Sequence, residues 1–257
     1  MKIKSSILSI YTLMSVFFIS CSDENQSIEK NKTEELKISS VASTKKIANC
    51  QSASIHSGEY WLNNNQWGSG NAGAGTQCVW LDNQNSWGAS ATHTGSNSSG
   101  IKGYPSIVFG TQGSVSTTTK LPKNINQLGN VHTWWAWTAS GTAWNAAYDI
   151  WFNNSTYELM IWMQWKNSWP MGNSLGVVYS NVTISGYTWN VYKKNNIFSF
   201  LLVNQQGWMS MDIKPFITFC VSKGWLPSTA SLTRIEAGWE IINGGTFETN
   251  SFGISQI

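Results

Sequence analysis

The chain has 257 residues, of which 13% are aromatic and only 11% are charged, and its formal net charge is +3. Because so small a charge forms no basic patch, the composition argues against nucleic acid as a partner. Many aromatic rings with few charges are typical of a protein that binds a neutral ligand with apolar faces, and sugars are the obvious class.

The N-terminal segment resembles an export signal followed by a tether. Two lysines precede an apolar run over residues 7–19 that is too short to span a bilayer, so residues 1–20 are predicted to be a signal peptide. Phe18-Ile19-Ser20-Cys21 resembles a bacterial lipoprotein box, which predicts a lipid anchor on Cys21, with plain secretion as the alternative. Residues 21–49 carry five acids, five lysines and no aromatic residue, so we expect a disordered tether. The expected location is the bacterial cell surface or outer membrane, or otherwise the periplasm or the exterior.

Residues 50–257 are predicted to form one all-β domain. All 16 tryptophans lie in this part of the chain. Apolar runs are separated by clusters of glycine, asparagine, serine and threonine, which is typical of a jelly-roll sandwich of two antiparallel sheets. The predicted strands are 59–67, 77–81, 106–109, 132–137, 146–152, 157–165, 188–192, 197–203, 235–242 and 251–257.

One short helix is predicted between residues 210 and 224, where apolar residues recur at helical spacing, a proline lies in the first turn and a glycine follows the end. Cys220 lies on its apolar side and is expected to be a buried, inert thiol. Cys50 and Cys78 are expected to pair in an oxidising exterior.

The run Tyr157–Trp165 sets a carboxylate into an apolar strand. Alternation places Glu158, Met160 and Trp162 on one face, and such a set suits a sugar-binding cleft better than a core. The preceding strand, joined by a turn over residues 153–156, brings Trp151 opposite Glu158 and Asp149 onto the same face. Two acids on one face perturb each other's pKa, as catalytic sites require. The alternative is an exposed hairpin edge with two solvated acids.

Glycoside hydrolysis by two carboxyls requires a second acid. Glu240 has the right character, because its strand buries Trp239 and Ile241 on one face and offers the acid on the other. Glu236 has the same parity, and spacing alone leaves both residues open.

Motifs along residues 50–257 resemble glycoside hydrolase family 12, the small retaining endo-β-1,4-glucanases. The matching segments occur in the family's order, and the 28 positions from Cys50 to Cys78 look like the early disulfide of many members. The segments are Asn64-Asn65-Gln66-Trp67-Gly68, Tyr104-Pro105-Ser106, Tyr148-Asp149-Ile150-Trp151, Glu158-Leu159-Met160-Ile161-Trp162, Pro170-Met171-Gly172, Ala237-Gly238-Trp239-Glu240, Gly244-Gly245 and Asn250-Ser251-Phe252.

The resemblance implies that Glu158 is the nucleophile, that Glu240 is the acid/base and that Asp149 forms a hydrogen bond with the nucleophile. It implies a β-1,4-glucan substrate, namely cellulose, mixed-linkage glucan or xyloglucan, and a monomer without a cofactor. The three histidines are scattered without metal-ligand spacing, so no metal is expected. The residues expected to bind the glucan are Asn65, Trp67, Trp151, Met160, Trp162 and Pro170.

Two alternatives belong to the same fold. A glucan-binding module without catalysis is disfavoured because both Glu158 and Glu240 are present. A related jelly-roll xylanase is disfavoured because that family places tyrosine where this chain has Leu159-Met160.

Overall fold

The computed structural model describes residues 47–51, 54–170 and 176–257. The expected signal peptide, the lipidation site Cys21 and the tether up to residue 46 lie outside the described residues. The strands are β1 (Ile47–Asn49), β2 (Ser54–Ser57), β3 (Tyr60–Asn63), β4 (Gln77–Asn83), β5 (Ser86–Ala91), β6 (Ser106–Gln112), β7 (Val115–Ser116), β8 (Lys123–Asn124), β9 (His132–Ala139), β10 (Ala143–Phe152), β11 (Tyr157–Lys166), β12 (Tyr179–Ile184), β13 (Tyr187–Lys194), β14 (Ile197–Leu202), β15 (Trp208–Asp212), β16 (Ser231–Asn243) and β17 (Gly245–Ser255). The helix α1 spans Lys214–Ser222, and two 3-10 turns span Asn97–Ser99 and Ile125–Gln127.

Two sheets form the sandwich, which confirms the predicted fold class. The outer sheet has the order β1-β4-β5-β17-β9-β15. The second sheet, called the cleft sheet below, has the order β12-β13-β14-β11-β10-β16-β6-β3-β2, with β7 and β8 paired at its side. The neighbouring strands are antiparallel except for β11 and β14, which run parallel.

The core between the sheets is aromatic. Trp239 of the cleft sheet packs against Trp87 and Trp135 of the outer sheet, with ring centroids 4.7 and 5.3 Å apart. Each of these indoles is almost fully buried, and aromatic side chains of this size dominate core energetics. The strands at the centre of the cleft sheet therefore have one face fixed against this core, and their other face is free to form a site.

Helix α1 closes the end of the core, as the sequence predicts. Phe216, Ile217 and Cys220 are buried on its inner side, and Trp189 meets Phe216 edge-on at 5.0 Å. Burial raises the pKa of the Cys220 thiol, which therefore stays uncharged. Within the described part of the chain, no helix is long and apolar enough to cross a membrane.

The N-terminal boundary differs from the prediction. Residues 47–49, assigned to the tether from their sequence, form β1 and pair with β4 from Leu81 back to Val79. The cause is covalent, since Cys50 forms a disulfide with Cys78 in β4 and so holds the preceding residues alongside that strand. The chain between the two cysteines is thereby closed into a loop.

The strand predicted over residues 59–67 ends at Asn63. Asn64 leaves the ladder because its side-chain amide donates to the backbone oxygens of Gln51 and Gln77 at 2.9 and 3.0 Å. Asn65 and Trp67 therefore lie on a loop. The sequence does not predict six further strands, because these segments are short or polar and lack a long apolar alternation. They are β2, β5, β7, β8, β12 and β15.

Candidate active site

The site lies on the face of the cleft sheet that points away from the core. The predicted hairpin register is confirmed, with Trp151 opposite Glu158 and Phe152 opposite Tyr157. Asp149 lies opposite Met160, two pairs further along, so Asp149 and Glu158 share this face. On the other side of β10, the strand β16 pairs Glu236 with Asp149.

Four carboxyls line one cleft of about 480 Å³, namely Asp149, Glu158, Glu236 and Glu240. Glu240 pairs with Asn145, six positions along β10 from the partner of Glu158. Both carboxyls still line the same cleft, so the sheet curves around this face. Asp149 and Glu236 are buried, whereas Glu158 and Glu240 are partly exposed. The cleft therefore contains two enclosed acids and two that a ligand can reach.

Charge and burial act together on the two reachable acids. Burial, and then repulsion by Glu240 and Glu236, raise the pKa of Glu158 to about 8. Burial raises the pKa of Glu240 to about 7, although a hydrogen bond from the Asn145 side-chain amide to its Oε2 opposes the rise. Near neutral pH, this pair of carboxyls is consequently poised to hold both a proton and a charge.

Asp149 is the most enclosed member on the Glu158 side. Burial, followed by repulsion from Glu158 and Glu236, raises its pKa well above the usual range for an aspartate. Among the described residues, its buried Oδ1 has no hydrogen-bond partner. Burial and repulsion thus favour the protonated form of Asp149, which can donate a hydrogen bond to a neighbouring carboxylate.

Glu236 is distinguished from Glu240 by its partners. Its Oε1 accepts a hydrogen bond from Nε of Arg234 at 2.6 Å. Its Oε2 accepts one from the Ser106 hydroxyl at 2.8 Å. Both oxygens are thus occupied within the protein, whereas Glu240 accepts one bond from the described part of the chain, from Asn145. This difference separates the two acids that spacing left open, and it favours Glu240 as the acid that meets a substrate.

The comparisons with known proteins agree with this arrangement. The family model described as Glycosyl hydrolase family 12 matches residues 58–256. The chain belongs to glycosyl hydrolase family 12. It is 32% identical over 219 residues to a protein of Aspergillus terreus named as a probable xyloglucan-specific endo-β-1,4-glucanase A, with 78% of this chain and 84% of that protein covered. It is 30% identical to Endoglucanase S of Pectobacterium parmentieri, with 72% and 77% covered.

A solved family 12 structure has the same fold. The endoglucanase cel12A from Rhodothermus marinus is 28% identical and superposes with a TM-score of 0.71, covering 82% of this chain and 97% of its own. The present chain is therefore a glycoside hydrolase with the jelly-roll fold of its family. No group of three or more His, Cys, Asp or Glu residues in the described ranges is arranged to hold a metal ion.

The predicted glucan-binding residues of this family 12 chain fall into two classes. Trp67, on the loop after β3, is 60% exposed, and with Asn65 it lines the cleft. Trp162 and Met160 also line it, but they are only 1% and 5% exposed. Trp162 packs with Tyr192 and other apolar residues on the cleft side of the sheet. Its ring therefore supports the cleft floor and is not the open sugar platform that the sequence suggested.

The remaining predictions for the cleft also divide. Trp151 lines it beside Glu158. Pro170 is buried and is not among the lining residues. The residue before it, Trp169, lines the cleft in its place. Trp169 is 51% exposed and lines the cleft. No pattern distinguished it from the other tryptophans in the sequence.

Sequence reasoning also missed Arg234, Asn145 and Ser106. Arg234 lines the cleft and is 3% exposed. A signal was present, because it is the only arginine in the chain and it shares strand parity with Glu236 and Glu240. Asn145 and Ser106 carry no such signal, since their roles depend on cross-strand register.

Proposed function

We propose that this family 12 chain is a retaining endo-β-1,4-glucanase and that xyloglucan is its preferred polymer. One observation carries the chemical part of the proposal. Of the four carboxyls in the cleft, Glu158 and Glu240 are the two that are partly exposed to it. Two accessible carboxyls facing one open cleft, one to act as the nucleophile and one as the acid/base, are what double displacement at a glycosidic bond requires.

In the proposed reaction, the Glu158 carboxylate attacks the anomeric carbon while Glu240 donates its proton to the leaving oxygen. The bond from the anomeric carbon to that oxygen breaks, and a glycosyl ester of Glu158 forms. Glu240, now a carboxylate, takes a proton from water, whose oxygen displaces Glu158 from the anomeric carbon. Configuration is inverted twice and hence retained.

Bound substrate has to determine which of the two carboxyls, Glu158 or Glu240, holds the proton. In the protein alone, the pKa of Glu158 is about 8 and that of Glu240 about 7, which is the reverse of the order that the reaction needs. A glycosidic oxygen accepts a hydrogen bond from protonated Glu240, and the partial positive charge at the anomeric carbon favours the carboxylate of Glu158. Asp149, held as an acid, can donate its proton in a hydrogen bond to that carboxylate.

The substrate proposal rests on the relatives. The Aspergillus terreus protein is named for xyloglucan, and the Pectobacterium protein and the Rhodothermus structure are named as endoglucanases without a stated polymer. Initial rates on xyloglucan, mixed-linkage glucan, carboxymethyl cellulose and xylan test it directly. We expect the highest kcat/KM on xyloglucan and no release of reducing ends from xylan. Tight glucan binding without new reducing ends would instead indicate a binding module.

The proposed roles are tested by two variants. Glu158→Ala should be inactive on every substrate, because no covalent intermediate can form. Glu240→Ala should keep part of its first step on a nitrophenyl cello-oligosaccharide, since nitrophenolate leaves without a proton, and azide should then yield a glycosyl azide of retained configuration. Products of inverted configuration from the native enzyme, or full activity of Glu240→Ala on polymer, would refute the assignment.

We also propose that the enzyme works at the bacterial surface, held by a lipid on Cys21. The support is the sequence of the box ending at Cys21. Labelling with a radioactive fatty acid, compared between the native chain and Cys21→Ser, tests this step independently of catalysis.

A further inference from the structure

The single arginine of the chain is built into the floor of the cleft. Arg234 is 3% exposed, and its guanidinium makes two hydrogen bonds and one ring contact. Nε donates to Oε1 of Glu236 at 2.6 Å, and Nη1 donates to the Ser155 hydroxyl at 2.8 Å. Its Cζ lies 4.6 Å from the ring centroid of Trp151. These three contacts hold the planar guanidinium in one position, which the flexible ammonium of a lysine could not match.

The register places this guanidinium in line with the nucleophile. Arg234 of β16 pairs with Trp151 of β10, and Trp151 in turn pairs with Glu158 of β11. Trp151 therefore lies between the cation and the carboxyl on one row of the sheet. Among the described residues that line the cleft, Arg234 is the one lysine or arginine. The four acids of the cleft thus share one cation.

We propose that the buried Arg234–Glu236 ion pair is a positioning device for the nucleophile, which fixes Trp151 beside Glu158 and sets the charge that Glu158 experiences. This inference rests on the proposed role of Glu158. Its two members act on Glu158 in opposite directions, since Arg234 favours the charged form and Glu236 disfavours it. The row that runs from Arg234 through Trp151 to Glu158 places the pair beside the nucleophile.

The other acids near Glu158 line the same cleft. On the row of cross-strand pairs that contains Glu158, the next charged residue is the exposed Lys194. The ones that act on Glu158 or Tyr104 electrostatically are Asp149, Glu236, Glu240, Arg234 and Glu158 itself. From β14 the row contributes Ile197, which is uncharged, and Lys194 of β13 follows it. A buried pair is also costly to break by removing one partner, so the test must keep the site folded.

The experiment measures the pH dependence of kcat/KM on a soluble β-glucan for Glu236→Gln and for the double variant Arg234→Met/Glu236→Gln. Gln at 236 can still accept the hydrogen bond of Arg234 with its amide oxygen and donate one to the Ser106 hydroxyl oxygen with its NH2 group, but it carries no charge. For Glu236→Gln we expect the acidic limb of the kcat/KM profile to move to lower pH by about one unit. The reason is that the negative charge of Glu236 no longer opposes the positive charge of Arg234 at Glu158. In the double variant the limb should return toward the native position.

Matched controls come from the exposed ion pair of Lys120 and Glu59, whose charged atoms are 2.8 Å apart. Glu59→Gln and Lys120→Met/Glu59→Gln should leave the limb in place. Thermal melting checks that each variant is folded. A limb that stays within 0.2–0.3 units (about experimental error) in both folded cleft variants would overturn the inference.

A merely structural role is separated from a positioning role by this readout, because a packing defect lowers kcat/KM at every pH without moving the limb. Arg234→Lys adds a second check. It keeps the charge but loses the fork, so the limb should stay while kcat falls. Failure of the proposed function is seen elsewhere, in inverted product or in an active Glu158→Ala. An unmoved limb with retained product defeats this inference alone.

Discussion

Replacement of Glu158 by glutamine should make the domain more stable at alkaline pH while abolishing activity. The folded protein raises the pKa of Glu158 from its ordinary value of 4.5 to about 8. Because the folded pKa is the higher one, the stabilising protonated form is fully present below pH 4.5 and is lost as the pH rises through 8. Taken alone, that difference corresponds to about 5 kcal/mol.

The realised gain should be smaller, because part of the rise is repulsion shared with Glu240. About 2 kcal/mol at pH 8 is a realistic expectation, which for a domain of this size is about 4–8 °C in Tm. Thermal unfolding of both proteins from pH 4 to pH 9 measures the difference. It should be close to zero at pH 4 and grow with pH. The exposed Glu248 of the outer sheet provides the control Glu248→Gln. A Glu158→Gln variant that is no more stable than the native protein at pH 8, or whose gain is independent of pH, would refute the reasoning.

Three further outcomes follow from the structure. Reducing the Cys50–Cys78 disulfide should lower Tm, since closing 28 positions contributes roughly 3.5 kcal/mol in the chain-entropy view, and an unchanged Tm after thiol reduction would contradict this. Trp67→Ala should lower kcat/KM on polymer while Tm stays within about 2 °C, whereas Trp162→Ala should lower Tm strongly because its ring is buried; calorimetry and kinetics on both variants would expose the opposite ranking. Asn145→Ala removes the donor that opposes the raised pKa of Glu240. If Glu240 is the acid, the alkaline limb of the kcat/KM profile should move to higher pH, and a shift to lower pH would show that the amide acts otherwise.

The hairpin of β10 and β11 could be predicted in detail, because period-two alternation and the turn length fix both face and register. The same alternation predicted the face of Glu240. It could not separate Glu240 from Glu236, because that choice depends on Arg234 and Ser106, which lie on the same strand and on β6. Partners that meet across strands leave no local pattern in the sequence.

Burial of individual tryptophans was equally out of reach. Trp162 shares the face of Glu158, as predicted, but the side chains that cover its ring come from β10, β13 and β14. Trp169 follows β11 in a segment without alternation, and its exposure is decided by the loop alone. The segment 64–67 directly continues a predicted strand, yet it is rich in asparagine, and the amide of Asn64 donates to acceptors outside the ladder.

The disulfide has a mechanical consequence for a chain that is pulled from its N-terminus. Tension applied at Ile47 first peels the three residue pairs of β1 from β4. It then reaches Cys50, where the covalent bond carries the load directly to Cys78 in β4. The intervening segment, which contains β2 and β3 and holds Asn65 and Trp67 at the cleft, is bypassed. With the bond reduced, the same force would load β2 and then β3, and it would have to strip them from the cleft sheet before it drew Asn65 and Trp67 out of the cleft.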